Sequence, residues 1–451
     1  MKINRCKLVL ACLLCLVLAD VQAQLNSHPP RIVVSSKPME LMLIDGPPTK
    51  VQIDGTGLEY VVNTNWNIFH SPEMDTWYIL KDGSWLFSNM LSSGQWRSTI
   101  ELPADFLTLQ VSSNWPLVAA AMPPRKPETP ARPFTISYEP TELVLIDGPA
   151  ELEAIGEGGL QFVSNTRNDL FLFDSQYYLL ISGRWFRTKD VKRQWSPVKQ
   201  LPLVFAEIPA DHRKAEVLSS VAGTPQAEAA VAEAAKPKLA KLSVKAGDNM
   251  QVPYVGEPSF VEIEGTELLR AENTPYQVIM HNNFYYLCHD GAWYSSTGAT
   301  GPWRAATEVP EAMYRIPPTD PAYNVTFVRV EAFDDSSDKV AYTSTSGYYN
   351  RYYNGATMVY GTGWYYPGYY NRSAYWRYPS TYGYGRWGHY PGYGYHGYSH
   401  SETYRVNLED TDWEWNLDGS KRRVYKYGPR NTIGSGEYRM PESDNYKGDG
   451  K

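Results

Sequence analysis

The chain is poor in cysteine, and this limits the disulfides that it can form. Only four of its 451 residues are Cys, and three of these lie within residues 1–23. We expect residues 1–23 to be a secretory signal peptide, because basic residues precede an apolar run and Val21-Gln22-Ala23 offers a cleavage point. The mature chain would keep a single thiol, Cys288, so we expect a fold without an intramolecular disulfide.

A second absence is that of a long apolar run after the signal peptide. No later segment approaches the ~18 apolar residues of a membrane-spanning helix. We therefore expect an exported protein without a transmembrane segment, located in the periplasm, at the cell surface or outside the cell. Basic residues are outnumbered as well: 42 Lys and Arg against 49 Asp and Glu give a net charge of -7, which argues against a nucleic-acid partner.

Aromatic residues are abundant, with 35 Tyr and 14 Trp, and many fall in a segment that occurs three times. Its copies are residues 77–86, 177–186 and 285–294. In each copy, aromatic and branched residues flank an Asp-Gly or Ser-Gly pair, which predicts a β-hairpin with a two-residue turn. A second Trp follows each copy, and three copies predict a repeat architecture.

The predicted turn determines which side chains share a face of the hairpin. In the first copy, a turn at Asp82-Gly83 places Lys81 opposite Ser84. One face then carries Tyr78, Leu80, Trp85 and Phe87, and the other carries Trp77, Ile79 and Leu86. Both faces are apolar, so the hairpin is either covered on both sides or covered on one side with an aromatic platform on the other.

We predict an all-β fold of three repeated antiparallel β-units, with a short helical spacer and a Tyr/Gly-rich C-terminal tail. The expected divisions are the signal peptide at 1–23, unit 1 at 38–112, unit 2 at 137–209, the spacer at 210–247, unit 3 at 248–335, the Tyr/Gly-rich tract at 343–400 and a partly disordered tail at 401–451.

Finer expectations concern the spacer and the end of unit 3. The spacer predicts two helices, at 210–221 and 226–235, with Thr224 capping the second. Residues 323–331 alternate as a final strand does.

Exposed Trp and Tyr rings are the best candidate contacts for a ligand, because flat rings stack on the apolar faces of sugars while polar neighbours bond the hydroxyls. The candidates are Trp85, Trp96, Trp185, Trp195, Trp293, Trp303, Tyr78, Tyr178 and Tyr286. The alternative interpretation is that these rings form the core of the repeating unit. Trp96, Trp195 and Trp303 follow polar turns and are expected to be the more exposed tryptophans.

The sequence offers little sign of catalysis. Asp45 and Asp147 could resemble the paired carboxylates of a glycosidase, but both lie in an Ile-Asp-Gly turn that accounts for them. Cys288 takes the place of Leu80 and Leu180 in the other copies, which favours a buried apolar role over a nucleophile or metal ligand. We therefore expect no enzyme activity, no cofactor and no metal.

The motifs "ELxLIDGP", "VxNT", "YYxLxxGxWF", "GPW" and "LPxxFxxIP", followed by a Tyr/Gly-rich tail, resemble a family of exported bacterial proteins sometimes named carbohydrate-binding family V/XII. The resemblance covers roughly residues 38–370 and implies a sugar-binding role. The pattern weakens in unit 3, which lacks Ile-Asp-Gly, and in unit 2, which lacks the Gly before its second Trp.

The favoured interpretation is a non-catalytic exported binding or scaffold protein of the cell envelope that contacts polysaccharide or peptidoglycan. The alternative is a structural protein that mediates adhesion or self-association through the Tyr/Gly-rich tract. An undetected hydrolase is the third and least favoured hypothesis.

Overall fold

The computed structural model describes residues 25–364, apart from 45, 62–63, 65, 82, 93–94, 111–115, 127–132, 253, 255–256 and 275, and the backbone of two strands at 411–415 and 421–425. The fold is mostly antiparallel β-sheet, as predicted. Within this part of the chain, no helix is long and apolar enough to cross a lipid bilayer.

Each unit contains a six-stranded antiparallel sheet whose strands follow one another in chain order. In unit 1 these are β3 (Lys50–Gln52), β4 (Glu59–Val61), β5 (Asn67–Ser71), β6 (Thr76–Lys81), β7 (Ser84–Ser88) and β8 (Arg97–Thr99). In unit 2 they are β11 (Leu152–Ile155), β12 (Leu160–Val163), β13 (Asp169–Phe173), β14 (Gln176–Ile181), β15 (Arg184–Thr188) and β16 (Ser196–Pro197). In unit 3 they are β18 (Phe260–Glu262), β19 (Leu269–Ala271), β20 (Gln277–His281), β21 (Phe284–His289), β22 (Ala292–Ser296) and β23 (Arg304–Ala305).

The aromatic hairpin lies at the centre of each sheet, in the predicted register. Lys81 pairs with Ser84 across the first turn. In unit 2 the two turn residues, Ser182 and Gly183, have φ angles of 49° and 79°. Two successive positive φ values define the turn that suits the twist of a tight hairpin, and this is why Gly is present.

Both faces of each sheet are covered, which settles one of the alternatives left open by the sequence. We call the face that carries Trp85, Trp185 or Trp293 the front face, and the face that carries Trp77, Tyr177 or Tyr285 the back face. The chain that follows each unit covers the front face. In unit 1 this chain forms two short helices, α1 (Phe106–Gln110) and α2 (Pro116–Ala120), and Phe106 packs among the front rings with no exposure.

The back faces of units 1 and 2 are covered by crossed leading strands. Unit 1 is preceded by β1 (Arg31–Ser35) and β2 (Glu40–Leu43), and unit 2 by β9 (Phe134–Ser137) and β10 (Thr141–Leu145). Strand β1 pairs with β10, and β2 pairs with β9. The exchange is reciprocal, so each unit supplies one wall of the other's core.

Both crossed pairs are parallel, a pairing between units that the prediction of antiparallel units does not include. Connection length suggested antiparallel pairing within a unit, and inside each six-stranded sheet that holds. The parallel pairs join two copies of the same leading segment, and the length of local connections does not reveal such pairing between units.

Unit 3 has no such partner unit. Its leading strand β17 (Lys238–Ser243) pairs antiparallel with β25 (Lys339–Ser344), which also pairs with β24 (Val328–Asp334). The buried residues of its core all come from residues 240–342. Where unit 2 has the leading strand β10, unit 3 has Asn249, Gln251 and Pro253, which are poor strand formers.

The repeated Asn-Thr corner holds the leading segment to its sheet. Thr64 and Thr166 donate side-chain hydrogen bonds of 2.6 Å to the carbonyls of Leu43 and Leu145. In unit 2, the Asn165 amide also donates to the Asp147 carbonyl. This hydrogen bond reaches a turn 18 residues earlier along the chain.

The spacer contains one of the two predicted helices. Helix α3 (Pro225–Ala234) begins as expected, with the Thr224 hydroxyl accepting from the Ala227 amide. The expected helix at 210–221 is wrong, because only Ala215–Ser220 is helical there and it is a 3₁₀ helix. Burial of Val217 and Leu218 against the front face of unit 2 outweighs the propensity for a longer helix.

The chain after unit 3 also departs from expectation. Residues 323–331 are not one strand, since Tyr323–Phe327 is a 3₁₀ helix and β24 begins at Val328. The first part of the Tyr/Gly-rich tract is folded: β26 (Arg351–Asn354) and β27 (Thr357–Tyr360) form a hairpin. Residues 365–400 lie outside the described residues.

The hairpin β26–β27 returns to unit 2 and is fixed at the turn of the aromatic hairpin. The Arg184 guanidinium donates to the carbonyls of Asn26, Tyr360 and Gly361 at 2.8–3.1 Å. The Asn26 amide donates in turn to the Thr362 carbonyl at 2.8 Å. We call this contact between residue 26, Arg184 and residues 360–363 the latch. Further along, β28 (Thr411–Trp415) and β29 (Lys421–Tyr425) form an isolated antiparallel pair.

Candidate functional site

Seven of the nine predicted contact rings are buried, so they cannot present a flat face to a ligand. They are Trp85, Trp185, Trp195, Trp293, Trp303, Tyr78 and Tyr178, each at most 7 % exposed. Trp96 and Tyr286 are half-buried. For the seven buried rings the structure supports the core interpretation and corrects the expectation of a platform.

The first Trp of each unit is a core residue with a structural hydrogen bond. The indole nitrogens of Trp85, Trp185 and Trp293 donate to the carbonyls of Ala121, Ser220 and Val328, at 3.3, 2.8 and 2.9 Å. In every case the acceptor belongs to the segment that covers the front face. This Trp occupies the same position in each repeat and thus joins the sheet to the segment that covers its front face.

The second Trp of each unit lies on the back side of its sheet. Trp195 and Trp303 are buried, although both follow polar turns. Trp96 retains partial exposure and packs against Phe134 of strand β9, with ring centroids 5.9 Å apart. The indole nitrogens of all three are shielded from solvent and have no hydrogen-bond partner among the described residues, so they are not available to a glycan hydroxyl.

The ring that stays at the surface is the one immediately before the predicted tyrosine. Trp77, Tyr177 and Tyr285 occupy the same place on β6, β14 and β21, and all three are half-buried on the back face. Alternation along the strand turns Tyr78 and Tyr178 inward and their predecessors outward. The sequence already placed Trp77 on the second face, so this alternation was the signal that could have identified it.

In unit 3 the surface ring belongs to a row of three rings. The centroids of Tyr285 and Phe260 are 5.5 Å apart, and those of Phe260 and Tyr254 are 6.4 Å apart. All three are half-buried. The Tyr254 hydroxyl donates to the Ala299 carbonyl at 3.0 Å, which fixes one end of the row. We call Tyr254, Phe260 and Tyr285 the ring strip of unit 3.

In unit 1 the surface ring lies among charged side chains instead. The Glu59 carboxylate accepts from Lys50 Nζ at 2.5 Å and is 2.7 Å from His70 Nδ1. The His70 ring packs on Trp77 with a centroid distance of 4.4 Å, and His70 Nε2 is 3.6 Å from the Asp75 carboxylate. We call these five residues the charged row of unit 1.

Glu59 is ionised at neutral pH. Burial raises its pKa, but hydrogen bonds from Lys50 and His70, with the charge of Lys50, outweigh this effect and hold the pKa below its ordinary value. The charged row therefore carries a permanent carboxylate beside a half-exposed indole.

The described part of the chain gives little support for a nucleophile, a metal site or paired catalytic carboxylates. Cys288 is buried as predicted, and burial raises the pKa of its thiol well above the ordinary value, so it is not a thiolate nucleophile. No group of three or more His, Cys, Asp or Glu side chains within the described residues could hold a metal ion. Asp147 lies exposed in its turn, and Asp45 is outside the described residues.

A small cleft with a cavity volume of about 10 Å³ lies between Arg270, Gln277 and Pro321. Pockets for small molecules usually occupy ~300–1,000 Å³. The open rings on the back faces are thus better candidates for recognition than this cleft.

Comparison of the chain with protein-family models, curated proteins and solved structures finds no match. The resemblance of the motifs to an exported bacterial family stays a prediction, and function has to be argued from the geometry of the surface rings.

Proposed function

We propose that the protein is a non-catalytic, exported binding and scaffold protein of the cell envelope that contacts polysaccharide or peptidoglycan through the back faces of its units. The observation that carries this proposal is the ring strip of unit 3. Three aromatic rings lie in sequence and half-buried on the back face of unit 3, which its own leading segment and not a pair of crossed strands covers.

The dimensions of the strip suit an extended glycan. Successive centroid distances in the row are 5.5 and 6.4 Å, with neighbouring ring planes tilted by 53° and 45°. Such a row can hold the apolar faces of consecutive sugar rings, while side chains around it bond the hydroxyls. Glu262 is an exposed acceptor on the same strand as Phe260. Aromatic residues bring large contact area at low cost in conformational entropy, which suits a weak, repeated interaction with a polymer.

The experiment is a co-sedimentation assay of the mature full chain with insoluble peptidoglycan, chitin and cellulose. We expect Tyr285→Ala to weaken binding about tenfold, because one ring–sugar stacking contact contributes on the order of 1 kcal/mol. Trp364→Ala is the matched control: its ring is 45 % exposed and lies outside the strip. Binding of Tyr285→Ala with the parent's affinity to all three polymers would contradict the proposal.

The Tyr/Gly-rich tract can be separated from this role by truncation after Trp364. A deletion of the whole expected tract, 343–400, would remove the end of β25 and the hairpin β26–β27, which are parts of the fold. Truncation after Trp364 leaves these elements in place. We expect the truncated chain to retain glycan binding; loss of binding would assign the contact to the tract or the tail.

A further inference from the structure

Unit 1 differs from the other two units at one row of its back face, and the three units act as controls for one another. Paired residues across the sheet show the correspondence: Lys50 is replaced by Leu152 in unit 2 and Phe260 in unit 3, Glu59 by Gln161 and Leu269, and His70 by Leu172 and Met280. The sheets of units 2 and 3 form with the same strand order without these charges. The charged row is therefore not a requirement of the fold.

The charged groups of the row surround a ring that remains partly open. Lys50 Nζ lies 5.8 Å from the centroid of Trp77, within the range of a cation–π contact. The Trp77 ring thus already accepts a positive charge from the protein. Asp75 extends from the neighbouring turn, and its side chain is 89 % exposed.

The exposure of the charges selects the sign of a ligand. The Asp75 side chain is 89 % exposed, whereas those of Lys50 and Glu59 are 33 % and 22 % exposed and pair with each other. The Lys50 ammonium is already hydrogen-bonded to Glu59. The most exposed charge of the row is therefore the Asp75 carboxylate, which would repel an anionic sugar, whereas an ammonium group would find this carboxylate and the half-exposed Trp77 ring on either side of His70.

We propose that the charged row of unit 1 is a second binding site, selective for an amine-bearing sugar, with the ligand ammonium between the Asp75 carboxylate and the Trp77 ring. Deacetylated glucosamine units of a polysaccharide have this chemistry. The inference rests on the proposed glycan contact, but it uses a different unit from the ring strip and a different ligand class.

The test measures binding of the mature full chain to three hexamers by isothermal titration calorimetry: glucosamine, N-acetylglucosamine and galacturonate. We expect the glucosamine hexamer to bind at least tenfold more tightly than the N-acetylated hexamer, and the galacturonate hexamer to bind most weakly. Asp75→Asn should reduce the preference for the amine about tenfold.

A variant that converts the row and its turn to the residues of unit 3, Lys50→Phe with Glu59→Leu, His70→Met and Asp75→Asn, should lose the preference entirely, because Asn283 stands in place of the Asp75 carboxylate in unit 3. Tyr285→Ala should leave the preference unchanged. Because Asp75 is exposed and unit 3 folds with its own row, these variants test binding and not folding; circular dichroism of each variant checks this.

Equal affinity for the glucosamine and N-acetylated hexamers would overturn the inference, and so would an unchanged preference in the row-conversion variant. These outcomes are separable from failure of the ring strip. If Tyr285→Ala has no effect on polymer binding while amine selectivity persists, the strip proposal fails and the charged row stands. If selectivity is absent while Tyr285→Ala loses polymer binding, only the charged row fails.

Discussion

Units 1 and 2 share a sheet design with unit 3 but bury their back faces in a different way. The first two units exchange leading strands, so β1 with β10 and β2 with β9 close the cores of both units. The third unit covers its back face with its own leading segment and the loop before Trp303. The difference teaches that the same hairpin repeat can close its back face either with strands of a neighbouring unit or with its own chain.

The leading segments explain this division at the level of sequence. The segment of unit 2 reads Thr-Glu-Leu-Val-Leu from Thr141, and such branched residues suit a buried parallel strand. The corresponding residues of unit 3 include Gln251 and Pro253. Proline is depleted from strands, so the leading segment of unit 3 is less suited to form a strand like β10.

The largest expected effect on stability comes from disrupting the crossed leading strands of units 1 and 2. Val144 is fully buried between the crossed strands and the sheet of unit 2. Val144→Asp places a charge there and should cost more than about 3 kcal/mol. Hydrogen exchange followed by mass spectrometry should show loss of protection in the sheets of both units 1 and 2, with unit 3 unchanged.

Val252→Asp is the matched variant, because Val252 is buried at the corresponding place in unit 3. It should unprotect unit 3 alone. If Val144→Asp left unit 1 protected, the two units would not share one core.

A smaller but still large effect should follow from the buried ion pair of unit 1. Lys81 has no exposed side-chain surface and lies 2.8 Å from the Glu40 carboxylate. Unit 2 has Ile181 in place of Lys81, and its Glu142 accepts from Asn168. Lys81→Ile should destabilise unit 1 by about 3–5 kcal/mol, because it leaves a buried carboxylate without its cation.

The double variant Glu40→Leu with Lys81→Ile should recover most of this loss in urea denaturation, since an apolar pair of similar volume replaces the ions. No recovery would show that the pair does more than neutralise a buried charge, and would weaken the equivalence of units 1 and 2.

The latch distinguishes unit 2 from both other units and predicts a moderate effect. Arg184→Gln removes charged hydrogen bonds to three carbonyls and should cost about 2 kcal/mol of local stability. Amides of residues 351–363 should then exchange faster with solvent, while the sheets stay protected. Arg187→Gln, an exposed change on the same strand, is the control. Unchanged exchange at 351–363 would mean that other contacts hold the hairpin.

The smallest effect concerns the charged row and its dependence on pH. The pKa of Glu59 is lower in the folded chain than its ordinary value, so the unfolded chain takes up this proton first as pH falls. The stabilisation is complete above the ordinary value and is lost as the pH falls through the folded value. We expect Glu59→Gln to lower stability by at most about 1 kcal/mol at pH 7.

The same variant should approach the parent in urea denaturation as the pH falls through the lowered pKa of Glu59, because the carboxyl is then protonated in both states of the chain. Gln161 at the equivalent place in unit 2 already carries this amide. A difference that does not shrink as the pH falls would show that Glu59 acts through packing and not through charge.

Local sequence patterns predicted much of the fold, because turn residues determine the hairpin register and capping residues determine where a helix begins. The hairpin register follows from the two-residue turn at Gly183 and its equivalents, and Thr224 marks the start of α3. The swapping of leading strands between units 1 and 2 was not predictable. Near-identical leading segments do not reveal whether each one packs on its own sheet or on the neighbouring sheet.

The candidate site was only partly predictable for the same reason. Aromatic content identified the hairpins. Tyr78 and Trp77 are neighbours that lie on opposite faces of the sheet, and only the segments that cover each face decide which ring is exposed. Lys81, a charge facing an apolar side, was a sign of the buried pair with Glu40. The covering segments and the row at Glu59 became apparent only from the pairing across strands.

Hydroxyl-radical footprinting of the full chain, with and without glycan, tests most directly whether the surface rings and not the buried tryptophans face the ligand. The account predicts oxidation of Trp77, Phe260 and Tyr285 in the free protein, little oxidation of Trp85, Trp185 or Trp293, and protection of Phe260 and Tyr285 when a bound glycan is added. Oxidation of the three tryptophans in the free protein, or glycan protection confined to residues outside the back faces, would contradict it.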